Sequence, residues 1–344
     1  MPTNKPMTKN ALGFVLIDAP HSALNMGQAD PGAADENETP VKIIWRDGRP
    51  IPYVSAQAWR YWWRNTLESR FSWRMSPIDR QAKIAFTSAN PFIYPDDDVF
   101  GYMRALKNAE GGTLTRLSPL KTSPLISVLP QQPTSDFGVM SRHEGDPVPH
   151  QHEFYSTVLK GIFSLDLSSV GIFREVPRTG YKNLDERYTA KPEIQEAITK
   201  SQAIKEQEDT WTLPKTERIS RAKETIGALP YLNGGAKLTL HLTDVTPKFI
   251  ILAVISGGNH LFMNITSSDP NKLINAAALK EVITDYKDSF LSDVFIGRQE
   301  GFQDALKEEL ENLRNELDAI KALHLLSPKQ AVEQFTATLA NYIN

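Results

Sequence analysis

Two short apolar runs set the terms on which this chain can fold: residues 11–19 read ALGFVLIDA, and residues 249–256 read FIILAVIS. Neither reaches the roughly 18 apolar residues of a membrane-spanning helix, and no other run does. Each therefore reads as a strand, the first of them nearly continuous and so buried on both faces. Residues 1–10 lack the apolar core of a secretion signal, which leads to an expected cytoplasmic protein with no membrane partner. At 344 residues, 40% hydrophobic and 23% charged, the chain can bury a substantial core. It contains no cysteine. That removes disulfide frameworks, thiolate zinc sites and cysteine nucleophiles together.

Between residues 45 and 83 lie five of the six tryptophans, Trp45, Trp59, Trp62, Trp63 and Trp73. Interleaved with them are Arg46, Arg49, Arg60, Arg64, Arg70, Arg74, Arg80 and Lys83. Aromatic faces stack on nucleobases and guanidinium groups pair with phosphates, so the pattern suits a single-stranded nucleic-acid site. The same residues also suit a tryptophan core with solvated arginine neighbours.

Charge is polarised along the chain, although the net value is only −3. Residues 42–83 hold nine basic and three acidic side chains, whereas residues 281–318 hold four basic and eleven acidic ones. One end can meet a polyanion while the acidic end meets further copies of the protein. The acidic stretch also fits an ordinary solvated helix.

Pro20 is expected to end the first strand, and residues 21–39 read as a long loop rich in Gly, Asn and Asp. Ser55 follows Pro50-Ile-Pro52 and is a good N-cap, and residues 56–71 contain no Gly or Pro, which predicts a helix there. On it Arg60 and Arg64 share a face beside an arc of Trp59, Trp62 and Trp63. Residues 75–113 look like an insertion with short helical patches near Gln81 and Phe100. Residues 125–129 and 153–166 read as strands, and residues 130–152 as a loop or ribbon able to project. Residues 191–208 and 214–229 read as helices and 237–243 as a strand, with closing helices at 272–286 and 301–325. The order suggests an α+β sheet domain carrying large insertions.

Catalytic signatures are nearly absent. The chain has no GxGxxG, GxxxxGK[ST], GxSxG or HExxH. His143, His150, His152 and Glu153 have the density of a metal or acid–base site, but a Pro-rich polar loop accounts for them better. No cofactor and no catalytic residue is expected. An endoribonuclease using His143, His150 and His152 is the rival reading, and a general single-stranded nucleic-acid binder is a third.

The run Val54-Ser55-Ala56-Gln57-Ala58-Trp59-Arg60, with Arg64 one turn on, resembles the Ser-x-Gln-x-x-basic-x-x-x-basic pattern of the Cascade backbone subunit. That is the repeated guide-RNA-binding protein of type I CRISPR complexes, and the nearest branch is DevR, of the RAMP superfamily and similar to subtype I-B. Asp98-Val-Phe-Gly101, Pro147-Val-Pro-His-Gln-His-Glu153 with Phe163-Ser-Leu-Asp166, and Gly234-Gly-Ala with Leu240-His-Leu-Thr-Asp244 agree with that branch.

The resemblance implies a single elaborated domain over residues 1–344: an RRM-like, ferredoxin-type palm with finger insertions at 75–113, a thumb arm at 130–152 and C-terminal helices at 272–344. It implies a non-catalytic protein polymerising on CRISPR guide RNA, with target DNA reached through the guide. Its other partners would be further copies of itself and other Cascade subunits, in antiviral defence. Carried over by motif, Ser55, Gln57, Arg60 and Arg64 hold the RNA backbone, by hydroxyl and amide bonds and by charge. Met140, Arg142 and His143 are the expected thumb wedge and backbone contacts. Ser22, Asn25, Gly257, Gly258 and Asn259 are further RNA-binding candidates where backbone must approach closely.

Overall fold

The computed structural model describes residues 7–28, 38–81, 84–105, 107, 112–141, 144–146 and 148–344. Its centre is a mixed sheet whose main path runs Leu323–Leu326, Val294–Arg298, Phe249–Ser256, Lys9–Ser22, Val148–Asp166, Leu125–Ser127, Arg49–Val54, Ile43–Arg46. Lys9–Ser22 lies between two antiparallel neighbours, with Leu16 opposite both Lys160 and Phe249. The two apolar runs of the sequence are thus adjacent strands.

Both faces of this centre are covered. Ala11, Val15, Ile17 and Ala19 point into a core with Trp59, Trp63 and Ile226, from helices Ala56–Phe71 and Lys215–Gly227. Leu12, Phe14 and Leu16 point the other way, toward Phe262, Ile265, Leu279 and Leu310. Period-two alternation between two buried faces is why the run is continuously apolar. Packing is close at Gly161, where an added methyl would stand 2.4 Å from Leu125 and 3.1 Å from Trp59. A third cluster, with Phe92, Phe173, Leu184 and Ile198, forms a lobe from the insertion and residues 173–213. Asp98 locks this lobe: fully buried, it pairs with Arg116 and Arg221 and accepts from the Gly171 N–H at 2.9 Å.

Several boundaries differ from the sequence reading. The first strand continues through Pro20 to Ser22, where its register shifts. Residues near Gln81 form the hairpin Ile78–Gln81 and Ile84–Thr87, not a helical patch. Helix Pro192–Ser201 stops at Gln202, left-handed at φ 55°, and Ile204–Gln207 is a strand. Residues 237–243 alternate like a strand, yet Leu238–His241 is one helical turn, bounded by left-handed Lys237 and Leu242. The C-terminal part is not helical throughout. Lys272–Ile274 and Leu323–Leu326 are strands, helices occupy Ala276–Asp285 and Lys307–Leu317, and a further helix, Pro328–Thr338, starts with a Ser327/Gln330 capping box.

Candidate nucleic-acid interface

The long helix begins where the sequence placed it. Ser55 Oγ accepts from the Ala58 N–H at 3.3 Å, and the Ser55 N–H donates to Asn25 Oδ1 at 2.9 Å. The loop after the first strand is thereby fastened to a helix N-terminus, whose free N–H groups favour anions. Gln57 is exposed on the first turn. Arg60 and Arg64 lie along the same face, but both are engaged within the chain. The Arg60 guanidinium donates to the carbonyls of Leu120 and Phe100 and to Ser118 Oγ. Burial, with Arg64 nearby, pushes its pKa down to about 10. Arg64 pairs with buried Asp96 at 2.6 Å and keeps about a third of its side chain in solvent.

Four of the five clustered tryptophans are core residues: Trp59, Trp62, Trp63 and Trp73 are at most 4% exposed. The Trp63 indole N–H donates to the Thr225 carbonyl at 2.6 Å. These rings cannot stack on bases, which corrects the stacking reading for them. Trp45 is different, at 66% exposure on the hairpin Ile43–Arg46/Arg49–Val54. Asp47 and Gly48, both at positive φ, make its tight turn, and Arg46 and Arg49 flank it in solvent. Aromatic and guanidinium groups are therefore exposed together at this sheet edge.

Further segments gather at the loop that the Ser55–Asn25 bond fastens, and a ribbon rises beside it. Ser22 is buried, and its hydroxyl bonds Thr243 Oγ1 at 2.8 Å. The Gly-rich stretch crosses this loop: the Ala236 N–H donates to the Leu24 carbonyl at 2.9 Å, and Gly235, at φ 122°, passes so close that a methyl would lie 2.6 Å from Leu24. The projecting ribbon pairs Thr134–Met140 with 148–154, and Phe137, Val139 and Met140 are exposed on it. Arg142 and His143 lie outside the described residues. His150 sits over Gly138, while His152, at its root, faces Asp136 and His241, so the two histidines have different surroundings. Glu153 accepts from the Val41 N–H at 3.0 Å. Among the described residues no group of three His, Asp or Glu side chains is spaced to hold a metal ion.

Gly257, Gly258 and Asn259 are not part of this convergence. The Gly257 N–H bonds the Thr8 carbonyl, and Ser256 pairs with Lys9, which puts the turn at the opposite end of the first strand from Ser22. Sequence reading overlooked His21 and His241, whose rings lie 6.4 Å apart beside the same convergence. His241 stands within the Leu240-His-Leu-Thr-Asp244 motif, but nothing local in the sequence links it to His21.

The family profile described as "CRISPR-associated negative auto-regulator DevR/Csa2" matches residues 37–272. The chain belongs to this DevR/Csa2 family. All the motifs that carried the resemblance fall inside the match. Several of them prove to be structural in the DevR/Csa2 chain: Asp98 is the buried clamp, Gly101 ends the short helix Pro95–Phe100 at φ 73°, and Gly234 packs on Trp62. No curated protein matches the chain. Among solved structures, a "CRISPR RNA-guided surveillance complex" chain is similar at a TM-score of 0.50 and 11% identity, over 96% of this chain and 99% of that one. A "CRISPR RNA-guided surveillance complex, pre-nicking" chain is similar at 0.55 and 11% identity, over 96% and 100%. At that identity the likeness is one of fold: mixed α+β, with a large mixed sheet and several helices. Among the described residues no helix is long and apolar enough to cross a membrane.

Proposed function

We propose that this chain is a non-catalytic CRISPR RNA-binding backbone subunit of a type I surveillance complex, acting in the cytoplasm. Copies would line the guide RNA beside other subunits of the complex and present it for pairing with target DNA. The observation that carries this reading is the loop of Asn25 fastened to the Ser55 helix cap and crossed by Gly235, with Gln57 and part-exposed Arg64 further along that helix, within the family match. Hydroxyl, amide and cation there suit phosphate and 2′-OH and read no base, so recognition is left to the guide.

The four strands Phe249–Ser256, Lys9–Ser22, Val148–Asp166 and Leu125–Ser127 are antiparallel neighbours. Helices Ala56–Phe71 and Lys215–Gly227 supply one covering face. This order supports a ferredoxin-type palm, with residues 75–113 as finger and the ribbon as thumb. Met140, exposed near the ribbon tip, suits the wedge. The acidic surface of residues 281–318 is the side left to meet neighbouring copies, while the Arg46/Arg49 hairpin is left to the RNA.

Titrating single-stranded RNA into the Gln57→Ala/Arg64→Gln variant at several salt concentrations tests the site. About tenfold weaker binding is expected, with the salt slope shallower by about one. Affinity and slope equal to wild type would remove this face from the RNA path.

A further inference from the structure

Three histidines from distant parts of the sequence meet at the root of the ribbon. His241 lies 6.4 Å from His21 and 5.7 Å from His152, ring centre to ring centre, and Phe154 packs on it at 5.7 Å. His152 is only 5% exposed; its Nε2 is 3.5 Å from Asp136 Oδ2, and its Nδ1 has no partner. His241 Nε2 is likewise buried without a partner. Buried polar atoms are ordinarily bonded, so two orphan imidazole nitrogens in one cluster need a reason. The charged or titratable groups acting on His241 are His21, His152 and Asp136, and burial and the two histidines hold its imidazole below the usual range.

We propose that His21, His241 and His152 form a proton-linked site for a phosphodiester of single-stranded RNA, so that RNA binding at the ribbon root takes up protons. This deepens the RNA-binding reading and rests on it. Burial, with His152 and His21 alongside, favours the neutral form of His241; a phosphate brought alongside reverses that balance and stabilises the charged form. The location fits. Ser22, hydrogen-bonded to Thr243, joins His21 to the segment carrying His241, and the Asn25–Ser55 junction follows three residues on. His21 is exposed and His241 half-buried between exposed Leu240 and Leu242, so a ligand approaches the cluster from their side, with buried His152 behind them.

Linkage fixes the sign. If RNA raises the affinity of the cluster for protons, protons raise its affinity for RNA by the same factor. Binding of a labelled oligouridylate should tighten by up to about tenfold per proton for each unit by which pH falls between about 8 and about 6. Calorimetry of wild type in two buffers of different ionisation heat should show net proton uptake. His21→Gln/His241→Gln should flatten the pH profile and abolish the uptake, with circular dichroism reporting its fold. Binding that weakens on acidification would mean that charge repulsion merely opens the ribbon root, and would overturn the proposal; so would zero uptake, or an unchanged profile in the double variant. Absence of RNA binding by wild type at every pH would overturn the RNA-binding reading itself, a result distinct from binding that is present but insensitive to pH.

Discussion

The Ser55 N–H donates to Asn25 Oδ1 at 2.9 Å, joining residues 30 apart in sequence and tying the loop after the first strand to the N-terminus of the long helix. Removing the acceptor leaves the Ser55 N–H unbonded at a part-buried junction. Asn25→Ala should cost about 1–2 kcal/mol in urea unfolding, and RNA affinity should fall by more than the population of unfolded protein explains. Equal losses in both would make the bond purely structural.

Trp45 and Trp59 should behave as opposites. Trp59 is fully buried against Gly161, so Trp59→Ala should cost about 3–5 kcal/mol and lower the melting temperature sharply. Trp45→Ala should leave stability within about 0.5 kcal/mol, yet weaken single-stranded RNA binding by about 1–3 kcal/mol through the lost stacking face. Unaltered RNA binding by Trp45→Ala would exclude the hairpin from the interface.

The Arg60 guanidinium bridges the helix to the segment around Phe100 and Leu120, which gives it a structural duty that the motif alone does not reveal. Arg60→Ala should therefore destabilise the fold by about 2–4 kcal/mol, since it leaves acceptors unpaired. Unfolding that matches wild type would return Arg60 to a surface role on the RNA.

Much of this architecture was legible in the sequence, for identifiable reasons. Ser55 after two prolines and a helix without Gly or Pro are local signals, and Phe249–Ser256 is apolar enough to be a strand in any context. The sequence left open whether Trp59, Trp62 and Trp63 stack on bases or form a core, because helical spacing groups them on one arc without saying that the sheet lies there. Residues 237–243 have the alternation of a strand but find no sheet neighbour, and left-handed Lys237 and Leu242 bound a single helical turn instead. Leu323–Leu326 is a strand only because Val294–Arg298 pairs with it. His21, His152 and His241 come from three segments, so no sequence spacing could bring them together.

Asp97 links stability to pH. Burial, with Asp96 close by, raises its carboxyl to about 6, from 3.8, although the Asn90 N–H donates to it at 2.9 Å. A raised acid binds its proton more tightly in the folded state. Its stabilising contribution is full below the unfolded value and is lost as pH rises through about 6. Asp97→Asn keeps the acceptor and removes the charge, so at about pH 7.5 it should be more stable than wild type by about 3 kcal/mol, and at about pH 4 nearly equal to it. An equal difference at both pH values in urea unfolding would show that titration of Asp97 is not the cause.

The central claim is that copies of this chain assemble on guide RNA. Its most direct measurement is the mass of the particle purified from cells expressing a CRISPR array, with sequencing of the RNA that accompanies it. A large particle holding several copies on repeat-spacer RNA of uniform length is the expected result. A monomer free of nucleic acid would contradict the claim while leaving the fold and the family membership unchanged.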